Sequence, residues 1–306
     1  MEDYIWVDTK EDLQRALATI SSADSISLDT EYDSFRYFRD KLCLIQIRAK
    51  DSTFLLDPLG DLDLSFLGPV FANPEVKVIA HAGDNDIRLL KRDYDFTFAN
   101  IFDTHRAALI LGYEQLSLSR LVGHFLGVEL DKKKKMQRSR WDIRPLEEEQ
   151  LKYAALDVFY LEDLYRRLTE LLGKQGLGRE AGEAFRQIVQ VTWQERTLDT
   201  RGHLRIKGYQ ELSGSERTRL RKLFQWRFQK ARERNRSSFM ILSDETLLKL
   251  CRMEEVTLSS ITSQGLLSRD KTRELGTEII RLLSDRSEMD LTDDSDFSRP
   301  GAALAT

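Results

Sequence analysis

Four carboxylates and one phenol stand at spacings that could hold a divalent cation. In Ser25-Ile26-Ser27-Leu28-Asp29-Thr30-Glu31, apolar and polar residues alternate as in a β-strand. Ile26, Leu28 and Thr30 then share one face, and Ser27, Asp29 and Glu31 the other. The two acids lie about 7 Å apart along such a strand. Like charges on one face repel, and a divalent cation between them removes that cost. Carboxylate oxygens are hard ligands suited to Mg²⁺ or Mn²⁺. The same pattern also describes an edge strand whose acids are merely solvated.

Two further segments carry acids. Between Lys77 and Leu90 an apolar run ends at His81, Gly83 permits a sharp turn, and Asp86 falls in the first turn of a helix. Asp84 is the expected N-cap there, so Asp86 lies inside the helical pattern without a capping role. In Tyr153-Ala154-Ala155-Leu156-Asp157 the phenol and the carboxylate are four residues apart and share a helix face. Taken alone, that pair is equally well explained as a hydrogen bond on a helix surface.

These side chains need strands and helices to position them. Residues 10–21 read as an amphipathic helix with Leu13, Ala16, Leu17 and Ile20 on one face. Strand-like runs at 25–30, 42–48 and 53–57 are separated by short polar gaps, which predict antiparallel hairpins. Strands are also predicted at 76–80 and 99–102, and helices at 84–91 and 103–111. Pro145 and the three glutamates Glu147, Glu148 and Glu149 mark a helix start. The pattern continues as one helix to Leu172. The glycines of 173–182 form a break, 179–196 a helix and 198–208 a loop. Residues 213–284 read as short helices interrupted at 235–238, 253–257 and 263–269, with capped starts at Ser213 and Ser243.

Taken together and in this order, the three acidic segments resemble the DEDDy exonuclease pattern. The local sequence is similar to ribonuclease D at Leu28-Asp29-Thr30-Glu31, Leu42-Cys43-Leu44-Ile45-Gln46-Ile47 and Phe102-Asp103-Thr104. Leu130-Asp131-Lys132 and the run from Trp141-Asp142-Ile143-Arg144 to Asp157 and Val158 resemble it too. This likeness covers roughly residues 1–172. Leu223-Phe224-Gln225-Trp226, with Phe239 and Asp244 to Leu247, resembles an HRDC module, although Met253 to Val256 lack the usual proline. Arg140 stands where bacterial ribonuclease D commonly has an acid. The basic run Lys132-Lys133-Lys134-Lys135 and Arg138 are more like the eukaryotic nuclear exosome exonucleases.

The resemblance implies an α/β fold: a ribonuclease H-like, mixed-sheet exonuclease domain over 1–172. A helical linker over 173–212, a small all-α HRDC-like domain over 213–284 and a disordered acidic tail over 285–306 follow. It implies a metal-dependent 3′→5′ exoribonuclease releasing nucleoside 5′-monophosphates, with two cations, Mg²⁺ or Mn²⁺. Asp29, Glu31 and Asp157 would hold the first, Asp29 and Asp86 would serve the second, and Tyr153 would orient the attacking water. The expected partner is a single-stranded RNA 3′ end, with tRNA precursors foremost, bound by a monomer. Thr30, Tyr32, Phe35, His81, Lys132, Lys133, Arg138 and Arg140 are candidate substrate contacts. Phe35, Tyr37 and Phe38 suit either base stacking or hairpin packing. A 3′→5′ DNA exonuclease is the main rival, because the same metal site cleaves both polymers. A non-catalytic RNA clamp is the other, although such proteins usually lose a carboxylate.

Composition narrows the setting. No apolar run approaches the length of a membrane span, and the N-terminus lacks a signal-peptide pattern. Two distant cysteines, Cys43 and Cys251, imply neither a zinc site nor a disulfide framework, so a reducing, cytoplasmic setting is expected. The overall net charge of −4 is uneven: 213–283 holds 15 Lys and Arg against 9 Asp and Glu, a net of +6. A basic module beside an acidic one fits a polyanion partner, as it also fits a helical bundle with a charged, solvated surface.

Overall fold

A computed structural model of the chain describes residues 3–130 and 136–284. Lys132, Lys133 and the acidic tail lie outside the described residues. The backbone forms two compact units, Met1–Glu195 and Arg196–Thr306. The first carries β1 (Tyr4–Val7), α1 (Lys10–Ser21), β2 (Ser25–Asp33), β3 (Lys41–Ala49), β4 (Ser52–Leu56), α2 (Leu67–Ala72) and β5 (Lys77–Ala80). It continues with α3 (Asp84–Tyr94), β6 (Ile101–Asp103), α4 (Thr104–Ile110), α5 (Leu118–Leu126), α6 (Glu148–Phe159), α7 (Leu161–Lys174) and α8 (Gly178–Val189).

The strands form one mixed sheet in the order β1-β4-β3-β2-β5-β6. β2, β3 and β4 make the antiparallel meander predicted from their short gaps, while β1 runs parallel to β4, β5 to β2, and β6 to β5. Sequence alternation places Ile26 and Leu28 on one face, and they do pack with Ala16 and Ile20 of α1, Phe71 of α2 and Ile87 of α3. The opposite face supports two clusters. Ile79 and Phe102 meet α4, α5 and α7, whereas Leu44 and Leu55 meet Trp141 and Tyr153 and Ala154 of α6.

Two features of β2 prepare the site. β2 pairs with β5 only from Ser25 to Ser27, so the edge carrying Asp29 to Asp33 runs on beyond β5. A register shift between Glu31 and Tyr32 inserts Cys43 as a β-bulge in β3. The Cys43 carbonyl accepts from Arg144 Nη2 at 2.6 Å, and Arg144 also forks onto Asp57. The bulge and the segment leading to α6 are thereby tied together.

Several boundaries differ from the sequence pattern. The continuous helix predicted to Leu172 is interrupted at Tyr160 (φ −98°, ψ 2°), giving α6 and α7. Pro145 precedes the helix, and Glu147 is the N-cap, its N–H donating to Gln150 Oε1 at 3.0 Å. The helix predicted over 179–196 ends at Val189. There Lys91 Nζ donates to the Val189 and Val191 carbonyls at 2.8 and 3.1 Å. A linker over 173–212 is not what the packing shows: α8 buries Ala181 and Ile188 in the first unit and sets Phe185 4.7 Å from Phe102, ring to ring. β1, too short for periodicity to reveal, has no counterpart in the sequence pattern.

The second unit is helical throughout its described part. Short 3-10 turns at Gly202–Arg205 and Tyr209–Glu211 precede α9 (Gly214–Glu233), α10 (Ser238–Ile241), α11 (Asp244–Arg252), α12 (Leu258–Ser263) and α13 (Arg269–Ser284). Ser213 and Ser243 cap α9 and α11, as their spacing predicts. Leu220, Leu223, Leu247, Leu250, Ile261 and Ile279 are fully buried and form its core. Among the described residues no helix is long and apolar enough to cross a membrane.

Candidate active site

The five residues singled out by type and spacing meet in one cleft of about 570 Å³ in the first unit. Asp29 and Glu31 of β2, Asp86 of α3, and Tyr153 and Asp157 of α6 all line it. Thr30, Tyr32 and His81 line it too. The cleft opens where β2 outruns β5. Strand alternation presents Asp29 and Glu31 to the face covered by α6, where Tyr153 and Asp157 project from a shared helix face. Ala154 is fully buried and lets α6 lie close against Leu44. Trp141 is buried with its ring centroid 6.2 Å from that of Tyr153, and its indole N–H donates to the Met136 carbonyl at 3.2 Å.

Asp86 reaches the cleft from the other face of β2. Thr30, which alternation turns toward α3, donates its hydroxyl to Asp86 Oδ1. Asp86 is buried, and burial pushes its carboxyl up to about 6, against the lowering effect of the Thr30 hydrogen bond. Tyr32 is pushed up to about 12, first by burial and then by the Asp86 charge, while a hydrogen bond with Asn85 acts the other way.

The turn before α3 is built differently from its sequence pattern. Asp84 is not the N-cap. It is the first helical residue, and its carboxylate pairs with Arg106 Nη2 at 2.6 Å. The capping work falls to a residue distant in sequence: Asp103 Oδ2 accepts from the Gly83 N–H at 2.9 Å, and Oδ1 accepts from the Arg106 N–H at 2.8 Å. One fully buried carboxylate thus closes the starts of both α3 and α4. Burial raises the Asp103 pKa, and these backbone hydrogen bonds oppose the rise. The positive φ of the turn falls on Ala82 (φ 55°), whereas Gly83 has an ordinary φ of −75°. Glycine is needed at 83 for space, because an added Cβ would stand 2.7 Å from the Ala80 Cβ. His81 braces the same turn, with Nδ1 2.9 Å from Thr104 Oγ1.

Ser117, Leu118 and Ser119, absent from the sequence-derived set, also line the cleft. They form the N-terminal turn of α5, the end of a helix that favours anions. No apolar alternation marks them, and only the seating of α5 on α7 brings them in. Conversely, Phe35, Arg138 and Arg140 are not among the lining residues. Phe35 is 65 % exposed, next to lining residue Ser34, while Phe38 is core and the Tyr37 hydroxyl donates to Asp142 at 3.0 Å. Arg140 is turned onto Asp142, with Nε 2.7 Å from Oδ1.

The four carboxylates offer hard oxygen donors, beside the His81 ring and the Asn85 amide. Four carboxylates and the phenols of Tyr32 and Tyr153 share the cleft, and among the described residues no Lys or Arg lines it. Carboxylates gathered in this way fit hard divalent cations. Among the described residues no three His, Cys, Asp or Glu side chains are gathered tightly enough to enclose an ion as they stand.

A sheet of this order, with acids on its central strand and on the flanking helices, fits a nuclease, and comparison with known proteins agrees. Residues 4–173 match the family model described as 3′-5′ exonuclease, and 216–283 match that of the HRDC domain. The chain belongs to the 3′-5′ exonuclease family, within the ribonuclease D group that joins this domain to an HRDC domain. It is 31 % identical to the exosome complex component 10 homolog of Drosophila melanogaster, over 80 % of this chain and 28 % of that protein. It is 32 % identical to ribonuclease D of Haemophilus influenzae, over 85 % of this chain and 65 % of that enzyme. The crystal structure of the catalytic core of RRP6 from Trypanosoma brucei superposes with a TM-score of 0.81 at 26 % identity, covering 91 % of this chain and 78 % of that one. The chain therefore spans less than two thirds of the length of these two sequence relatives.

Proposed function

We propose that the chain is a 3′→5′ exoribonuclease that removes nucleoside 5′-monophosphates one at a time from single-stranded RNA ends. The observation that carries this reading is the convergence of Asp29, Glu31, Asp86, Tyr153 and Asp157 in one cleft. Asp29, Glu31 and Asp157 would hold one divalent cation, with Asp29 and Asp86 serving a second. When bound, two such cations supply charge neutralisation, water activation and leaving-group stabilisation for phosphodiester hydrolysis. Tyr153, held by Trp141 on a helix packed tightly to the sheet, offers its hydroxyl to orient the attacking water. The first turn of α5 brings a positive helix end to the cleft, suited to the terminal phosphate.

Ribonuclease D and RRP6 relatives favour RNA as the polymer, and 3′ extensions of tRNA precursors or other small structured RNAs are the proposed substrates. The second unit, with its excess of Lys and Arg, would bind the RNA backbone. A reducing, cytoplasmic setting, with which two free, buried cysteines are consistent, and a monomeric state are included in this proposal.

The test incubates labelled single-stranded RNA, DNA of the same sequence, and a tRNA precursor with extra 3′ nucleotides with Mg²⁺, Mn²⁺ or EDTA. The expected outcome is stepwise release of 5′-monophosphates from RNA, abolished by EDTA. Asp29→Asn and Asp157→Asn are expected to be folded and inactive, and Tyr153→Phe about a hundredfold slower in single turnover. Full activity in EDTA or in either aspartate variant would overturn the site, and preference for DNA would overturn the substrate.

A further inference from the structure

Among the described residues, Gln46 alone has both polar atoms of its side chain buried and without a hydrogen-bond partner. It is 0 % exposed. Its place in the sheet is well defined. Gln46 on β3 stands opposite Asp29 of β2 and opposite Leu55 of β4. Residues opposed across an antiparallel pair point to the same face, and their side chains lie within contact range. Its neighbours two residues away on that face mark what lies above. Leu44 packs with Tyr153 and Ala154, and the Arg48 guanidinium lies 4.3 Å above the Phe159 ring. The part of α6 that roofs Gln46 therefore lies between these anchors, and it carries Asp157.

Leaving a buried amide unpaired costs more than a single hydrogen bond gains. Leucine or methionine, close to glutamine in volume, would fill the same space without that cost. Packing and stability thus give no reason for an amide at this point. The neighbouring chemistry does, because the residue directly across the ladder is a carboxylate of the cleft.

We propose that Gln46 is a positioning residue for Asp29, donating from Nε2 to one carboxylate oxygen so that the other is held toward the cleft when a divalent cation is bound. This rests on the metal-dependent reading above. Partners that orient a ligand in this way change metal affinity about 10- to 100-fold when removed.

The test compares the parent chain with Gln46→Leu and Gln46→Met. Calorimetric titration of the cation-free protein with Mn²⁺ gives the Kd, and thermal unfolding without the cation gives the Tm. Expected are a Kd weakened about tenfold or more and a Tm equal to or above that of the parent. A merely structural glutamine moves the readouts oppositely: Tm falls and the Mn²⁺ Kd stays unchanged, which overturns the proposal. Failure of both variants to fold has the same meaning, while the methionine variant decides if only the leucine one fails. A parent that takes up no Mn²⁺ sinks the metal reading and this inference together. A parent that binds, with variants binding equally well, sinks this inference alone.

Discussion

Asp86 shows how a single residue can be legible by position and illegible by environment. Its place in the first turn of α3 follows from the apolar run ending at His81. Its burial and its hydrogen bond from Thr30 depend on the far face of β2, which no local pattern reports. Asp29 with Glu31, and Tyr153 with Asp157, were legible because the strand and helix periods fix shared faces. The cap at Asp103 was not, because its two partners belong to different helices. Thr30→Val keeps the shape and removes the donor to Asp86. The expected result is a loss of about 1–3 kcal/mol, read as a lower urea midpoint. An unchanged midpoint would show that the hydroxyl contributes nothing. A second residue-scale expectation concerns acid. Asp142 is held down at about 2, first by the hydrogen bond from Arg140; burial opposes this, and the hydrogen bond from Tyr37 adds to the lowering. A carboxyl depressed in the folded state adds stability above its unfolded value, about 4, and loses it as the pH falls toward 2. The stability gap between parent and Asp142→Asn should therefore be constant at neutral pH and close between about pH 4 and 2. A gap that widens on acidification would contradict the pairing.

At the scale of elements, the site depends on how near α6 comes to the sheet. Ala154 and Ala155 are buried and small, and Leu44, Leu55 and Trp141 fill the space around Ala154. The composition of this helix was readable, but its end was not. The break at Tyr160 leaves the apolar pattern intact, so one periodic run became two helices. The same limit explains α8, whose amphipathic pattern was visible but whose docking into the first unit was not. Ala154→Leu adds three carbon atoms where the core is full. Overpacking of this kind costs about 1–3 kcal/mol and lifts Tyr153 and Asp157 away from Asp29 and Glu31. A modest fall in Tm with a much larger fall in kcat than in KM is the expected pattern. A variant with lowered Tm and parental kcat would show that the site tolerates movement of the helix.

For the whole molecule, two compact units mean that a cation bound in the cleft acts first on one of them. The division itself was partly legible: Ser213 and Ser243 announce helices α9 and α11, and the charge excess falls in the same stretch. Where the first unit ends was not legible, because Lys91 and the face of α8 hold residues up to Glu195 within it. If Asp29, Glu31, Asp86 and Asp157 share divalent cations, the bound ion stabilises the folded first unit by RT ln(1 + [cation]/Kd). With free Mn²⁺ at a hundred times Kd, this is about 2.7 kcal/mol. Amides of β2, β3, β5 and α6 that exchange only by unfolding of that unit should then exchange up to about a hundredfold more slowly. The proposed ligands all lie outside α9, α11 and α13, so amides that open by local fluctuations there should keep their rates. Hydrogen-exchange mass spectrometry with Mn²⁺ and with EDTA reads both sets in one experiment. Protection confined to α9 to α13 would move the cation out of the cleft, and equal rates in β2 and α6 under both conditions would remove it.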